Sequence, residues 1–283
     1  LLCQLNLYNL LIYIYLMSEN NANLSEKSIK GSLSKALLND IDSIFIEDST
    51  ESTNDNAKEH LKTQRNLFSV HLAEQQVSGR GRNNKKWVSP HGKNIYLSLA
   101  WKSTLLHSQL EGLSLAVATN LISALKEFTT GDLRIKWPND LLINGKKISG
   151  ILIETTDSED GLDIVIGIGI NVHMDESEGS EIDQSWGNLE ENPTFKLDRN
   201  KIIVSIVTEM YKLFKGYPIS GFKKYHHVFE THNLLKDKLC KVETDKETYE
   251  GKVLGVNEVG ELLLEKNGEI QHLRYGEVSI REL

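Results

Sequence analysis

The constraint that most limits this chain is a change in hydrophobic period near Leu239. Before it, short apolar runs alternate with long patterns of helical period. Ile41–Glu47, Leu67–Glu74, Asn94–Trp101 and Leu162–Ile170 read as strands, because they combine β-branched residues with alternation or a continuous apolar run. Gln109–Phe128 carries Leu113, Ala116, Val117, Leu121, Ala124, Leu125 and Phe128 on one expected helical face. Asp198 is placed to cap a second long helix through Phe214, and a third spans Phe222–Leu235. Beyond Leu239 only short strands remain: Leu239–Glu243, Thr248–Val256, Glu261–Leu264, Ile270–Arg274 and Val278–Ile280, with turns at Asn257–Gly260 and Asn267-Gly268. That pattern predicts an α+β body, with a mixed sheet flanked by helices, followed by a small all-β barrel. The expected division is an extension over 1–40, a main domain over 41–235 and a small domain over 236–283.

The chemistry concentrates in Gly79-Arg80-Gly81-Arg82-Asn83-Asn84-Lys85-Lys86-Trp87. Glycine lets backbone N–H groups approach a ligand. Arginine offers a planar fork of donors suited to carboxylate and phosphate. Trp87 adds a flat face for a heterocycle. No third glycine completes a dinucleotide fingerprint, and no Gly-Lys-Ser/Thr ends a Walker loop. Nucleic-acid binding is a rival for so basic a stretch. The formal net charge of −8 over 283 residues argues against a general binder of nucleic acid or anionic membranes. A local basic loop on an acidic protein points to a small anionic ligand.

Other clusters follow in order. Ser52-Thr53-Asn54 supplies N-cap chemistry for a helix through Ala57 to Leu61 and could hold a ligand's polar head. Leu133–Trp137 reads as a strand ended by Pro138, which leaves Asn139 and Asp140 at its end. Asn144-Gly145 signals a hairpin into Lys146–Glu154, with Lys147 near its base. Gly167 and Gly169 thin the strand that ends at Asn171, a mark of close approach by backbone or ligand. His226, His227 and His232 read as a partly exposed helical face. Asp175–Asp183 reads as an acidic surface loop.

Only Cys3 and Cys240 are present, which fits a reducing cytosol and gives neither a disulfide framework nor a cysteine metal site. Leu1–Leu16 is apolar and uncharged. It is short for a spanning helix, which needs roughly 20 residues, and it lacks the basic lead of a signal peptide. We expect it to lie outside the fold.

Taken together, Ser52-Thr53-Asn54, Gln76 with Gly79–Arg82 and Trp87, Lys136–Asp140, Lys147 with Gly150-Ile151-Leu152, and Gly167–Asn171 resemble the biotin protein ligases. The likeness runs from about Ile41 to the C-terminus. It implies a catalytic domain related to class II aminoacyl-tRNA synthetases and lipoate ligases, closed by an SH3-like domain. It implies ATP and Mg²⁺, biotin as substrate, biotinyl-5′-adenylate as intermediate, and a biotin carboxyl carrier domain as the lysine-bearing partner. Lys147 and Arg82 are the implied catalytic residues. Ser52, Thr53, Asn54 and Gln76 would face biotin, with Arg80, Gly81, Arg82, Lys147 and Gly150. Arg82, Lys85, Trp87, Asn139, Asp140, Lys147 and Asn171 would face the nucleotide. Asp140 is the one candidate for a Mg²⁺ contact.

Where this chain has Asn83, Asn84 and Lys85, many relatives have more Arg and Gly. The stretch from Met17 to Ile41 is too short for the family's helix-turn-helix domain. The expectation is therefore a cytoplasmic ligase-only form, monomeric or homodimeric, with no nucleic-acid or membrane partner. A lipoate-type ligase, a DNA-binding repressor and an idle biotin sensor are the alternatives.

Overall fold

A computed structural model describes residues 23–190, 196–244, 247–274 and 278–283. The Leu1–Leu16 segment lies outside the described residues. The body is a seven-stranded sheet in the order β1-β2-β3-β7-β6-β5-β4. Its strands are β1 (Ile41–Thr50), β2 (Phe68–Gln76), β3 (Ile95–Ser103), β4 (Leu133–Lys136), β5 (Asp140–Ile143), β6 (Lys146–Ser158) and β7 (Gly161–Ile170). Only β1 and β2 run parallel; every other pairing is antiparallel. The mixed sheet is the one expected from the sequence.

β7 sits at the centre because its run Leu-Asp-Ile-Val-Ile-Gly-Ile-Gly-Ile is apolar on both faces. One face is covered by α1 (Glu26–Ser32), α2 (Lys35–Asp40), α4 (Leu113–Leu125) and α5 (Arg199–Ser220). On the other face α3 (Thr53–Leu61) lays Ala57 and Leu61 against Ala100 and Val165. The expected one-faced helix over Gln109–Phe128 is corrected. α4 begins only at Leu113 and is buried almost all round. Gly112 precedes it at φ 74°, and a Cβ there would lie 2.5 Å from Phe222. The backbone turns at that point because a neighbouring ring occupies the space a side chain would need.

The expected 1–40 extension differs as well. From Leu24 onward it is built into the core: Leu24, Ile29, Leu33 and Leu37 are buried with the main cluster. The Leu24 N–H donates to Glu74 Oε1 at 2.6 Å, and Arg199 Nη1 donates to Glu74 Oε2 at 2.6 Å. Removing one partner of such a buried pair costs about 3–5 kcal/mol, so Glu74 of β2 ties down both the start of α5 and the chain just before α1.

The hairpin at Asn144-Gly145 forms with both residues at positive φ, 48° and 80°, the twist that a two-residue hairpin requires. α6 (Lys223–His232) follows α5 and leads to the second sheet. That sheet is antiparallel, in the order β11-β10-β9-β8-β12. Its strands are β8 (Leu239–Thr244), β9 (Thr248–Val256), β10 (Leu262–Lys266), β11 (Glu269–Leu273) and β12 (Val278–Glu282). It docks through the Asn257–Gly260 turn: Trp137 Nε1 donates to the Gly260 carbonyl at 3.1 Å, and Gly260 packs on Gly112. The three histidines on and near α6 form no metal cluster; His226 meets the Val256 carbonyl and His232 the Leu133 carbonyl.

Candidate active site

The α3 face of the sheet has a floor opened by three glycines, Gly150, Gly167 and Gly169. In register across β3, β7 and β6 lie Tyr96, Gly169 and Gly150, then Ser98, Gly167 and Leu152. Alternate positions of a strand share a face, so Gly167 and Gly169 open the same side. Each glycine is filled by a neighbour. A Cβ on Gly167 would fall 2.3 Å from Asn54 Oδ1, and one on Gly169 would fall 2.4 Å from the Trp87 ring. A Cβ on Gly150 would meet the same indole at 3.1 Å. The basic loop is thus laid onto the sheet through Trp87, whose indole N–H is buried with no hydrogen-bond partner.

The loop is a small closed hairpin. Arg80 and Lys86 form an antiparallel bridge, and the Trp87 N–H donates to the Gly79 carbonyl at 2.8 Å. Gly79 is required by packing, because a Cβ would lie 2.7 Å from both Ser89 Oγ and the Trp87 carbonyl. Gly81 meets nothing closer than 3.6 Å and is under no such demand. The tip, Arg82–Asn84, is a single 3₁₀ turn with Asn83 at φ 53°. Asparagine tolerates that left-handed conformation better than most residues, which accounts for its presence at the tip.

The Ser52-Thr53-Asn54 start of α3 is buried. Ser52 occupies the N-cap position but its side chain makes no capping hydrogen bond, contrary to the expected cap chemistry. Thr53 donates from its N–H and its hydroxyl to Gln76 Oε1, at 2.9 and 3.1 Å. Ser98 Oγ lies 2.7 Å from Thr53 Oγ1 and 2.5 Å from Asn54 Oδ1. Asn54 Nδ2 donates to Glu154 Oε2 at 2.6 Å. Both ends of the Asn54 amide are therefore held by protein groups.

Across the floor, Lys147 Nζ is 2.8 Å from Asp140 Oδ1, with both side chains about four-fifths buried at 18% and 21% exposure. The same ammonium stands 5.7 Å from the centroid of a Trp87 ring. Asn139 beside it bonds the Ile151 backbone in both directions, and Arg82 Nη1 reaches Asn139 Oδ1 at 3.4 Å. Trp87, Lys147, Asp140, Asn139, Arg82 and Gly150 thus converge. Lys85 is exposed on the loop tip. Asn171 is buried at the end of β7, and its Nδ2 donates to the Gly187 carbonyl at 3.1 Å.

Several neighbours escaped the sequence reading. Ser185, Trp186 and Gly187 run beside Lys147: its N–H donates to the Ser185 carbonyl, and the Gly187 N–H donates to its carbonyl. Trp186 packs on Gly179 and borders a cleft of about 670 Å³ with Lys146 and Asn188. A tryptophan in the otherwise polar stretch after Asn171 was the available signal. Asp55, Ser98 and Glu154 carried none, because each is an ordinary residue in its own segment. Among the described residues no group of three or more His, Cys, Asp or Glu side chains could hold a metal ion. Asp140, the candidate Mg²⁺ contact, is engaged by Lys147.

Comparison with known proteins agrees with this architecture. Residues 46–171 match the biotin/lipoate A/B protein ligase family, and residues 237–281 match the biotin protein ligase C-terminal domain. The bifunctional ligase/repressor BirA of Escherichia coli is 35% identical over 212 residues, 74% of this chain and 65% of that protein. The match thus spans just under two thirds of that relative's length. BirA of Bacillus subtilis is 29% identical over 94% of this chain and 82% of its own. The biotin protein ligase from Aquifex aeolicus, solved in complex with biotin and ATP, superposes with a TM-score of 0.72 at 26% identity, covering 85% of this chain and 99% of that one. With both of its sheets matched in order, the chain carries a biotin/lipoate A/B protein ligase family domain followed by a biotin protein ligase C-terminal domain.

Proposed function

We propose that this protein joins biotin to a lysine of a biotin carboxyl carrier domain, at the cost of ATP. The observation that carries the reading is the convergence of Lys147, Arg82 and Trp87 on the glycine floor of β6 and β7. In the first step a biotin carboxylate oxygen attacks the α-phosphorus of ATP. The bond to the β-phosphate oxygen breaks, and biotinyl-5′-adenylate and pyrophosphate result. In the second step the carrier's amine attacks the acyl carbon, and AMP leaves with the electron pair of the broken anhydride bond.

The first step brings two anions together, so positive charge fixed in place is what the site must supply. Lys147 meets that demand: Asp140 orients its ammonium, and the sheet holds its backbone. Arg82 adds a second cation from the loop, above Asn139. Thr53 and Gln76, with Ser52 at the helix start, form the polar wall suited to the biotin head group. Trp87 closes the floor, and its unpartnered N–H is a donor that a ligand acceptor would satisfy. Asn171 and Lys85 we assign to the nucleotide side. Among the described residues no three or more His, Cys, Asp or Glu side chains gather to hold a metal ion, and Mg²⁺ is proposed only as the ion that accompanies the ATP phosphates.

We further read the chain as a catalytic unit that includes residues 24–40, followed from about residue 236 by the C-terminal unit. Among the described residues no helix is long and apolar enough to cross a membrane. A cytoplasmic enzyme acting on a carrier protein is the assignment we propose.

Incubation with ATP, Mg²⁺, a biotin carboxyl carrier domain and either biotin or lipoate tests the reading. Mass gain on the carrier with biotin is the expected result. Transfer of lipoate alone, or of neither acid, would overturn it.

A further inference from the structure

The loop's two arginines turn to different partners: Arg82 reaches Asn139, and Arg80 turns to α3. Arg80 donates from Nη1 and Nη2 to the two carboxylate oxygens of Asp55, at 2.9 and 2.6 Å. This two-pronged geometry fixes both the distance and the plane of the guanidinium. Asp55 stands in the first turn of α3, immediately after Ser52-Thr53-Asn54, where the helix dipole favours a carboxylate. One turn later Lys58 reaches Glu154 Oε1 of β6 at 2.5 Å and lies 3.9 Å from Asp55. Glu154 also holds Asn54. Arg80, Asp55, Lys58 and Glu154 thus alternate in sign from loop to helix to sheet, and their formal charges sum to zero.

From this we infer that Asp55 is a positioning residue: it ties the base of the basic loop to α3 through Arg80, which makes Arg80 a strut and leaves the tip cation Arg82 to meet the ligand. The inference rests on the ligase reading and assigns a division of labour within its loop. The base has three anchors: the Arg80–Lys86 bridge, the Asp55 clamp and the Trp87 ring on Gly150 and Gly169. The tip has its own turn bonds, Gly81 to Lys85 and Lys85 to Arg82, and the longer 3.4 Å contact of Arg82 with Asn139. The charges agree with the geometry, since the Arg80 guanidinium holds the Asp55 carboxyl below the usual carboxylate range.

The test uses the full chain and four proteins: wild type, Asp55→Asn, Asp55→Glu, and the swap of Asp55→Arg with Arg80→Asp. Adenylate formation, biotin KM and the rate of biotinyl-adenylate release are measured on each, with thermal melting alongside. Asp55→Asn is expected to raise biotin KM and adenylate release about tenfold, as loss of a charge-assisted pair does, while kcat stays within about twofold and melting is unmoved. Asp55→Glu and the charge swap should restore part of the retention. If Asp55→Asn instead tightens biotin, Arg80 is the ligand's cation and the inference is overturned. Unchanged KM and release, or a fall in kcat that tracks melting, overturn it equally. A wild type that forms no adenylate in the same assay refutes the ligase reading itself, a separate outcome.

Discussion

The two halves of the site are built on opposite principles. Lys147, Asp140 and Asn139 stand on or beside strands β5 and β6, and the Lys147–Asp140 pair is about four-fifths buried. The loop carries four cations, Arg80, Arg82, Lys85 and Lys86, but Lys85 and Lys86 are exposed, and Lys86 pairs with Glu181 at 68% and 67% exposure. The strand half is held by backbone ladders and cannot shift without breaking the sheet. The loop half has its own backbone bonds but is fastened to the rest of the site by side chains, Arg80, Arg82 and Trp87. The two-step reaction we propose, with its hydrolysable intermediate, needs both. One cation must already be in place when the anions meet, and one cover must open for the carrier and close against water.

The contrast is sharpest at Lys147. Lys147→Ala should lower the rate of adenylate formation by about 10²–10³-fold, the scale for loss of one preorganised electrostatic group, and should also lower the melting temperature, because it leaves the largely buried Asp140 without its partner. Single-turnover formation of adenylate measures it, and near-normal turnover would dissolve the distinction between the halves. A smaller effect is expected at the floor. Gly169→Ala places a Cβ 2.4 Å from the Trp87 ring, and overpacking of that kind costs about 1–3 kcal/mol. We expect the indole to be displaced, with a change in tryptophan fluorescence and a matching rise in biotin KM. An unchanged emission spectrum would mean that the ring is not seated there. The smallest effect belongs to the loop's outer pair. Lys86→Ala removes an exposed contact with Glu181, and both KM and kcat should stay within about twofold of wild type. A larger loss would show that the outer pair also holds the cover shut.

Much of this was legible in the residues. β7 announced itself by its apolar run, and its two glycines correctly marked close approach. What approaches them, however, are side chains of the protein, Asn54 and Trp87. The Asn144-Gly145 hairpin and the Asp198 cap, whose side chain accepts from the Asn200 N–H, are local and were readable as such. The start of α4 was misplaced because the obstacle, Phe222, lies more than a hundred positions away. Leu24–Leu37 looked like a lead-in because its few apolar residues gain meaning only when Glu74 and Arg199 receive the chain.

By itself the sequence determined the order of the strands along the chain and the turn positions, and it supplied the set of residues we propose for joining two anions. Those follow from backbone dihedral preferences and side-chain period, which act over a few residues. The tertiary structure alone decided that Arg80 answers to Asp55, that Asn54 is held by Ser98 and Glu154, and that Trp87 lies on Gly150 and Gly169. Each of those pairings joins segments far apart in the chain. Which distant partner a charge or a ring finds is set by packing of the whole sheet and by the cost of burying a polar group alone.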